Sequence, residues 1–161
     1  MVRGFLVAVA AGFFRTADIA APAYSTAAVL DAIDGKLARD GKRETVLGSR
    51  LDMEVDAAGI LVASLAGIVL GKLPAAYAAI GLARYLFVLG IAARKRSGRP
   101  VRELDPSRTR RILAGFQMGF LAVSLWPQIP ETVTWTAAFP FGAASLAMFL
   151  RDWLYVSHRL R

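Results

Sequence analysis

Asp31–Asp56 reads DAIDGKLARDGKRETVLGSRLDMEVD, with a pair of aspartates at each end of a basic segment. Asp31 and Asp34 are three positions apart, and Asp52 and Asp56 are four apart. At about 100° per residue each pair shares one helical face, with Cβ atoms about 5–6 Å apart. The short connection, which carries Lys36, Arg39, Lys42, Arg43 and Arg50, predicts that the two helices are neighbours whose pairs face each other. Four carboxylates in that space repel one another unless cations intervene. Two divalent ions bridged by carboxylates would balance them. Glu54 points about 200° away from Asp52 around the same helix and stays outside the set. Asp40, Glu44 and Glu103 read as solvated charges. The chain has no cysteine and a single histidine, His158. A Cys/His zinc site is therefore excluded, and oxygen ligands point to Mg²⁺, Mn²⁺ or Ca²⁺.

Outward from this stretch the chain is apolar. Of its 161 residues 56% are hydrophobic, and the mean hydropathy is +0.47; soluble domains hold about 45–50% apolar residues. Segments 112–130 and 132–150 are uncharged throughout, 57–71 is uncharged, and 73–93 carries only Arg84. A spanning helix needs about 20 such residues. The pattern predicts an all-α integral membrane bundle of six transmembrane helices in a single domain over 1–161. The helices are expected at about 1–14, 16–38, 48–71, 74–95, 109–126 and 133–156. The first looks truncated or half-spanning. Pro74, Pro127 and Pro130 fall at turns, and Pro22 and Pro140 fall inside helices, where membrane proteins tolerate kinks. The basic start followed by MVRGFLVAVAAGFF resembles a signal peptide, but a second apolar stretch follows directly, which favours a retained helix.

The net charge is +8, yet the basic residues lie in short blocks between apolar runs, unlike a nucleic-acid-binding surface. With both termini cytoplasmic, 17 of the 20 Lys and Arg residues lie on the cytoplasmic side, as the positive-inside rule requires. Arg15 and Lys72 fall opposite, Arg84 falls within helix four, and Asp18 is removed from the acidic set. The aspartates thus lie at the cytoplasmic membrane face. Placing acids there is costly, which favours a functional role. A divalent-cation carrier is the reading from a different class. It would need polar groups across the bilayer, and segments 57–71 and 112–126 offer almost none.

The residues between the aspartates narrow the chemistry. Asp31, Asp34, Gly35, Ala38, Arg39, Gly48, Asp52 and Asp56 fill the pattern D-x2-D-G-x2-A-R-x8-G-x3-D-x3-D. The chain therefore resembles the CDP-alcohol phosphotransferase (CDP-alcohol phosphatidyltransferase) family. The resemblance implies a six-helix membrane enzyme of phospholipid biosynthesis with the motif on helices two and three. It implies Mg²⁺ or Mn²⁺, as two ions, held by Asp31, Asp34, Asp52 and Asp56, with Asp56 also the general base towards an acceptor hydroxyl. It implies donor binding by Asp31, Gly35, Ala38, Arg39, Gly48 and Asp52. Small residues at 35, 38 and 48 let a nucleotide approach the backbone, and Arg39 supplies a fixed cation for phosphate. The partners implied are CDP-diacylglycerol or another CDP-linked donor, an alcohol acceptor, membrane lipids and a second copy in a homodimer. A bacterial inner membrane is the implied location, with the active site facing the cytoplasm.

The leading expectation is transfer of a phosphatidyl group from CDP-diacylglycerol to a polar alcohol with release of CMP. Transfer of a phospho-headgroup from a CDP-linked polar alcohol to a lipid alcohol is the alternative within the same family. Two departures from common family patterns stand out. The Pro-Asn-x-x-Thr-x-x-Arg-like opening of many members is reduced to Arg3, and MEVDAAGIL after Asp52 lacks the Pro and Lys of phosphatidylglycerophosphate and cardiolipin synthases. It also lacks the Arg that follows the last Asp in phosphatidylinositol-type synthases, so the acceptor is left open. Arg84 and the block Arg94–Arg111 are further cations within reach of an anionic substrate or headgroup, with Arg102, Arg108, Arg110 and Arg111 the candidates for substrate contact. Gln117 reads as a helix–helix hydrogen bond.

Overall fold

The computed structural model describes residues 2–41, 46–104 and 107–158, with side chains described at these positions except 35–41, 46–47 and 49–50. Six α-helices follow in order: α1 Val2–Gly12, α2 Ala17–Gly41, α3 Val46–Val69, α4 Ala78–Arg96, α5 Arg108–Ser124 and α6 Glu131–Val156. A 3₁₀ turn, Ala75–Tyr77, leads into α4, and there is no strand among the described residues. Proline sets several of these limits. Pro74 and Pro130 sit in extended backbone just before the 3₁₀ turn and α6, where their missing N–H leaves no helical bond unmade. Pro22 and Pro140 lie inside α2 and α6.

The helices form a ring. α1 packs on α2 and α3, α2 on α5, α5 on α6, α6 on α4 and α4 on α3, while α3 also reaches across to α5. The expected direct pairing of α2 with α3 is slight, because α1 packs on both of them and α3 makes its most extensive contact with α4. A short connection brings two helices to one side of the bundle, but it does not stop a third from inserting.

The centre is built mainly from small residues. Ala10, Ala21, Ala63, Ala66, Ala122 and Ala138 are buried there, with Tyr24, Tyr77 and Leu121 filling the space between them. Small residues let backbones approach, and Gly81 marks a close crossing of α4 on α3. A Cβ at Gly81 would stand 2.9 Å from Leu61 Cδ1 and 3.0 Å from Leu61 Cα, so α4 lies nearly on the backbone of α3. Large apolar side chains point outward instead: Leu86, Leu89, Phe116 and Phe139 are 61–69% exposed. A helix facing water would carry its polar residues on that side. Small residues inside and large apolar ones outside suit a lipid surround.

Two helical segments, Ala75–Arg96 and Glu131–Val156, are long and apolar enough to cross a membrane. The other four fall short for identifiable reasons. α1 has 11 residues, about 16 Å at 1.5 Å each. α2 and α3 carry the acidic pairs and the basic segment, and α5 opens with Arg108, Arg110 and Arg111. The all-helical architecture and the number of α-helices among the described residues agree with the sequence reading; the length and apolar composition needed to span are met in two of the six expected spans.

Polar pairs pin the ring at both levels. Gln117 of α5 donates through Nε2 to the Tyr77 hydroxyl at 2.6 Å and accepts from Ser145 Oγ of α6 at 2.9 Å, which fulfils its expected cross-helix role. At the end of α3 away from the aspartates, Gly71 turns the chain with φ +75°, a conformation glycine adopts at little cost. There Lys72 Nζ donates to the Ile129 carbonyl at 2.7 Å, Thr134 Oγ1 donates to the Lys72 carbonyl at 2.6 Å, and Trp135 Nε1 donates to the Gly71 carbonyl at 2.9 Å. The loop carbonyls freed at two helix ends are thereby satisfied by side chains.

Candidate functional site

The acidic stretch converges on a residue from the far end of the sequence. Arg3, in the first turn of α1, is 9% exposed. Its Nη1 lies 2.7 Å from Asp31 Oδ1 and 3.6 Å from Asp52 Oδ1, and its Nη2 donates to Asp56 Oδ1. One guanidinium thus meets carboxylates from both α2 and α3. The position of α1 makes this possible: Gly4 faces Val55, and Val7 lies against Gly59, with 3.5 Å between Val7 Cγ2 and a Cβ built at Gly59. Tyr24 of α2 packs on the same glycine from the other side, 3.4 Å from that Cβ, and is fully buried. Alternating small and larger residues on α1 and α3 let Arg3 reach the inner face.

Three of the four expected ligands are therefore gathered, and one is not. Asp34 is exposed and makes no ion pair with Arg3. It lies about 60° around α2 from the direction of Asp31 and one turn further towards the helix end. Asp52 is also largely open, with 69% of its side chain accessible, against 29% for Asp31 and 33% for Asp56. Among the described residues no three His, Cys, Asp or Glu side chains stand close enough to grip one ion. The Arg3 guanidinium is the group these three carboxylates share. The donor set nevertheless fits a hard divalent cation: carboxylates of two helices already converge on one positive centre, and oxygen is what such ions take. Of the expected donor-binding residues, Gly35, Ala38 and Arg39 continue the backbone of α2, and their side chains lie outside the described residues. Gly48 opens α3 one turn before Asp52 and is half-buried.

The remaining charges sort themselves by partner. Glu54, set aside on angular grounds, faces α4 and accepts from Arg84 Nη2 at 2.8 Å. That contact makes Arg84, the one charge within 73–93, one half of a structural pair. Arg110 binds Asp152 at 3.2 Å, joining the start of α5 to the end of α6. Arg102 lies over the Tyr155 ring, 4.7 Å from its centroid, and its backbone N–H donates to the Val156 carbonyl. Arg94 Nη2 donates to the carbonyls of Pro100 and Ser157. Two of the four arginines considered for substrate contact thus have structural partners at the α4–α5 connection and α6, while Arg108 and Arg111 are exposed. Arg3 was the residue hardest to see in the sequence. A basic residue near the start of a first helix reads as a topology signal, and only its match to the Arg of the family's usual opening set it apart.

Neither a curated protein nor a solved structure matches the chain. The profile of the CDP-alcohol phosphatidyltransferase family does, over residues 1–148. That span takes in Arg3, all four aspartates and the apolar segment Ala75–Arg96, and it ends within α6. Members of that family are membrane-associated, generally divalent-metal-dependent transferases of phospholipid biosynthesis that act on a CDP-linked donor and an alcohol acceptor. The chain belongs to the CDP-alcohol phosphatidyltransferase family.

Proposed function

We propose that this chain transfers a phosphatidyl group from CDP-diacylglycerol to the hydroxyl of a polar alcohol, releasing CMP, at the cytoplasmic face of a six-span bundle. The observation that carries this reading is the convergence of Asp31, Asp52 and Asp56 of α2 and α3 on the Arg3 guanidinium, inside the span that matches the family. Asp31, Asp34, Asp52 and Asp56 are the residues to hold two Mg²⁺ or Mn²⁺ ions. When bound, these would neutralise phosphoryl charge and stabilise the leaving CMP.

The chain's own groups then have distinct tasks. The acceptor oxygen attacks the phosphorus that bears diacylglycerol, its bond to the CMP oxygen breaks, and the alcohol proton passes to a carboxylate. Asp56 suits the last task. It lies deepest along α3 of the two aspartates there and is half-shielded, while Asp52 is open to solvent. An alcohol is a weak nucleophile near neutral pH, so a positioned base is required. Gly35, Ala38 and Gly48 leave room for the cytidine, and Arg39 offers a charge for the diphosphate. The outward apolar side chains of α4 and α6 suit a donor that arrives laterally from the lipid leaflet.

The assignment of donor and acceptor is checked by following phosphorus. Purified protein is given CDP-diacylglycerol labelled with ³²P at the phosphorus bearing the lipid, together with Mn²⁺ and a panel of polar alcohols. The label is expected in a new phospholipid containing one alcohol, identified by mass. If that label stays in CDP-diacylglycerol, while ³²P at the alcohol-bearing phosphorus of a CDP-linked polar alcohol is passed to diacylglycerol, the direction of transfer is the reverse.

A further inference from the structure

Resting on the metal-site reading above, we infer that Arg3 and divalent metal are competing counter-ions for Asp31 and Asp56, so that seating metal requires α1 to release its hold on these carboxylates. Arg3 has only 10% of its side chain exposed and contacts three aspartates, with Asp31 at 2.7 Å and Asp56 as its closest partner. Those oxygens are the least exposed of the acidic set that two helices present here. An arginine fork that takes one oxygen from each of two carboxylates satisfies them with directional, charge-assisted bonds. It occupies the centre that a bridging cation needs.

Charge arithmetic gives the direction of the effect. Asp31, Asp34, Asp52 and Asp56 together carry four negative charges, and Arg3 compensates one. A fixed positive charge at contact distance from a divalent ion repels it even in a well-hydrated site, by an amount equivalent to about tenfold in affinity. Arg3 also ties α1 to the site. Its remaining contacts at that end are apolar, Gly4 on Val55 and Val7 on Gly59, and these resist sliding less than an ion pair does. Exchange of Arg3 for metal would therefore loosen the first turns of α1, a helix of 11 residues.

Two measurements on the full-length protein in detergent test this. In the first, Mn²⁺ binding is followed by loss of the free-ion electron paramagnetic resonance signal, without nucleotide or acceptor. Arg3→Gln is expected to bind Mn²⁺ about tenfold more tightly than wild type, and Arg3→Lys, which keeps the charge, is expected to stay near wild type. Equal or weaker Mn²⁺ binding by Arg3→Gln overturns the inference, because Arg3 would then be arranging the ligands and not competing for them. The second needs no variant: backbone amide hydrogen exchange of wild type with and without Mn²⁺. Faster exchange in residues 2–7 on adding Mn²⁺ is expected; unchanged or slower exchange there contradicts release of α1. Absence of saturable Mn²⁺ binding by wild type overturns the metal reading itself, which keeps that failure separate from the failure of the competition.

Discussion

Asp56→Asn lowers CMP release by about 10³-fold, within the 10²–10⁴-fold span ascribed to a positioned acid or base, while metal-dependent binding of the CDP donor persists. The amide keeps the shape and one carbonyl oxygen of the carboxylate, but it cannot accept the alcohol proton. Arg3 still has Asp31 to pair with, 2.7 Å away in the native protein, so α1 retains an anchor although one negative charge is lost. Turnover and donor binding are measured on one preparation, by CMP release and by equilibrium dialysis of CDP-diacylglycerol in mixed micelles with Mn²⁺. Near-normal turnover by Asp56→Asn would contradict its role as base. Loss of both quantities together would make it chiefly a metal ligand.

Asp31→Asn is expected to lose both. Its side chain is the least exposed of the aspartates that meet Arg3 and, on this account, the one on α2 that joins metal to donor. Replacing a carboxylate by an amide removes a full charge from a site for a hard cation. Donor binding that depends on metal should weaken at least about tenfold, with turnover falling by about 10³-fold. The fold should survive. Arg3 keeps Asp52 and Asp56 as partners, so the cost should be about 1 kcal/mol, below the roughly 3–5 kcal/mol of orphaning a buried charge. A circular dichroism melt close to wild type separates this from misfolding. Asp31→Asn with donor binding intact would remove Asp31 from the ligand set.

These outcomes also indicate what could be read from the residues alone. The helices were legible because long apolar runs and prolines punctuate the chain. The expected 16–38, 109–126 and 133–156 correspond to 17–41, 108–124 and 131–156 in the structure. The rotation of Glu54 away from Asp52 was legible as well, since angular position on one helix follows from counting; its partner is Arg84. Gln117 was legible as a cross-helix bond because a lone amide in an apolar helix needs a partner. What could not be counted was the packing between helices. Two carboxylate pairs joined by a short basic segment suggested direct apposition, yet α1 lies between α2 and α3 and brings Arg3 into the gap. The separation of Arg3 from Asp56, 53 positions along the chain, leaves no local signature. Asp34 shows the limit of a face argument: an offset of three positions leaves it about 60° from Asp31, enough to put it in the open while Asp31 turns inward.

One assay tests metal-dependent phosphatidyl transfer most directly. Purified protein in mixed micelles is supplied with CDP-diacylglycerol, a panel of polar alcohols and Mn²⁺, then with EDTA, then with excess Mn²⁺, and CMP is quantified at each stage. The prediction is CMP release matched one for one by a new phospholipid, abolished by EDTA and restored by Mn²⁺. No CMP with any alcohol, or release that continues undiminished after EDTA, would contradict it.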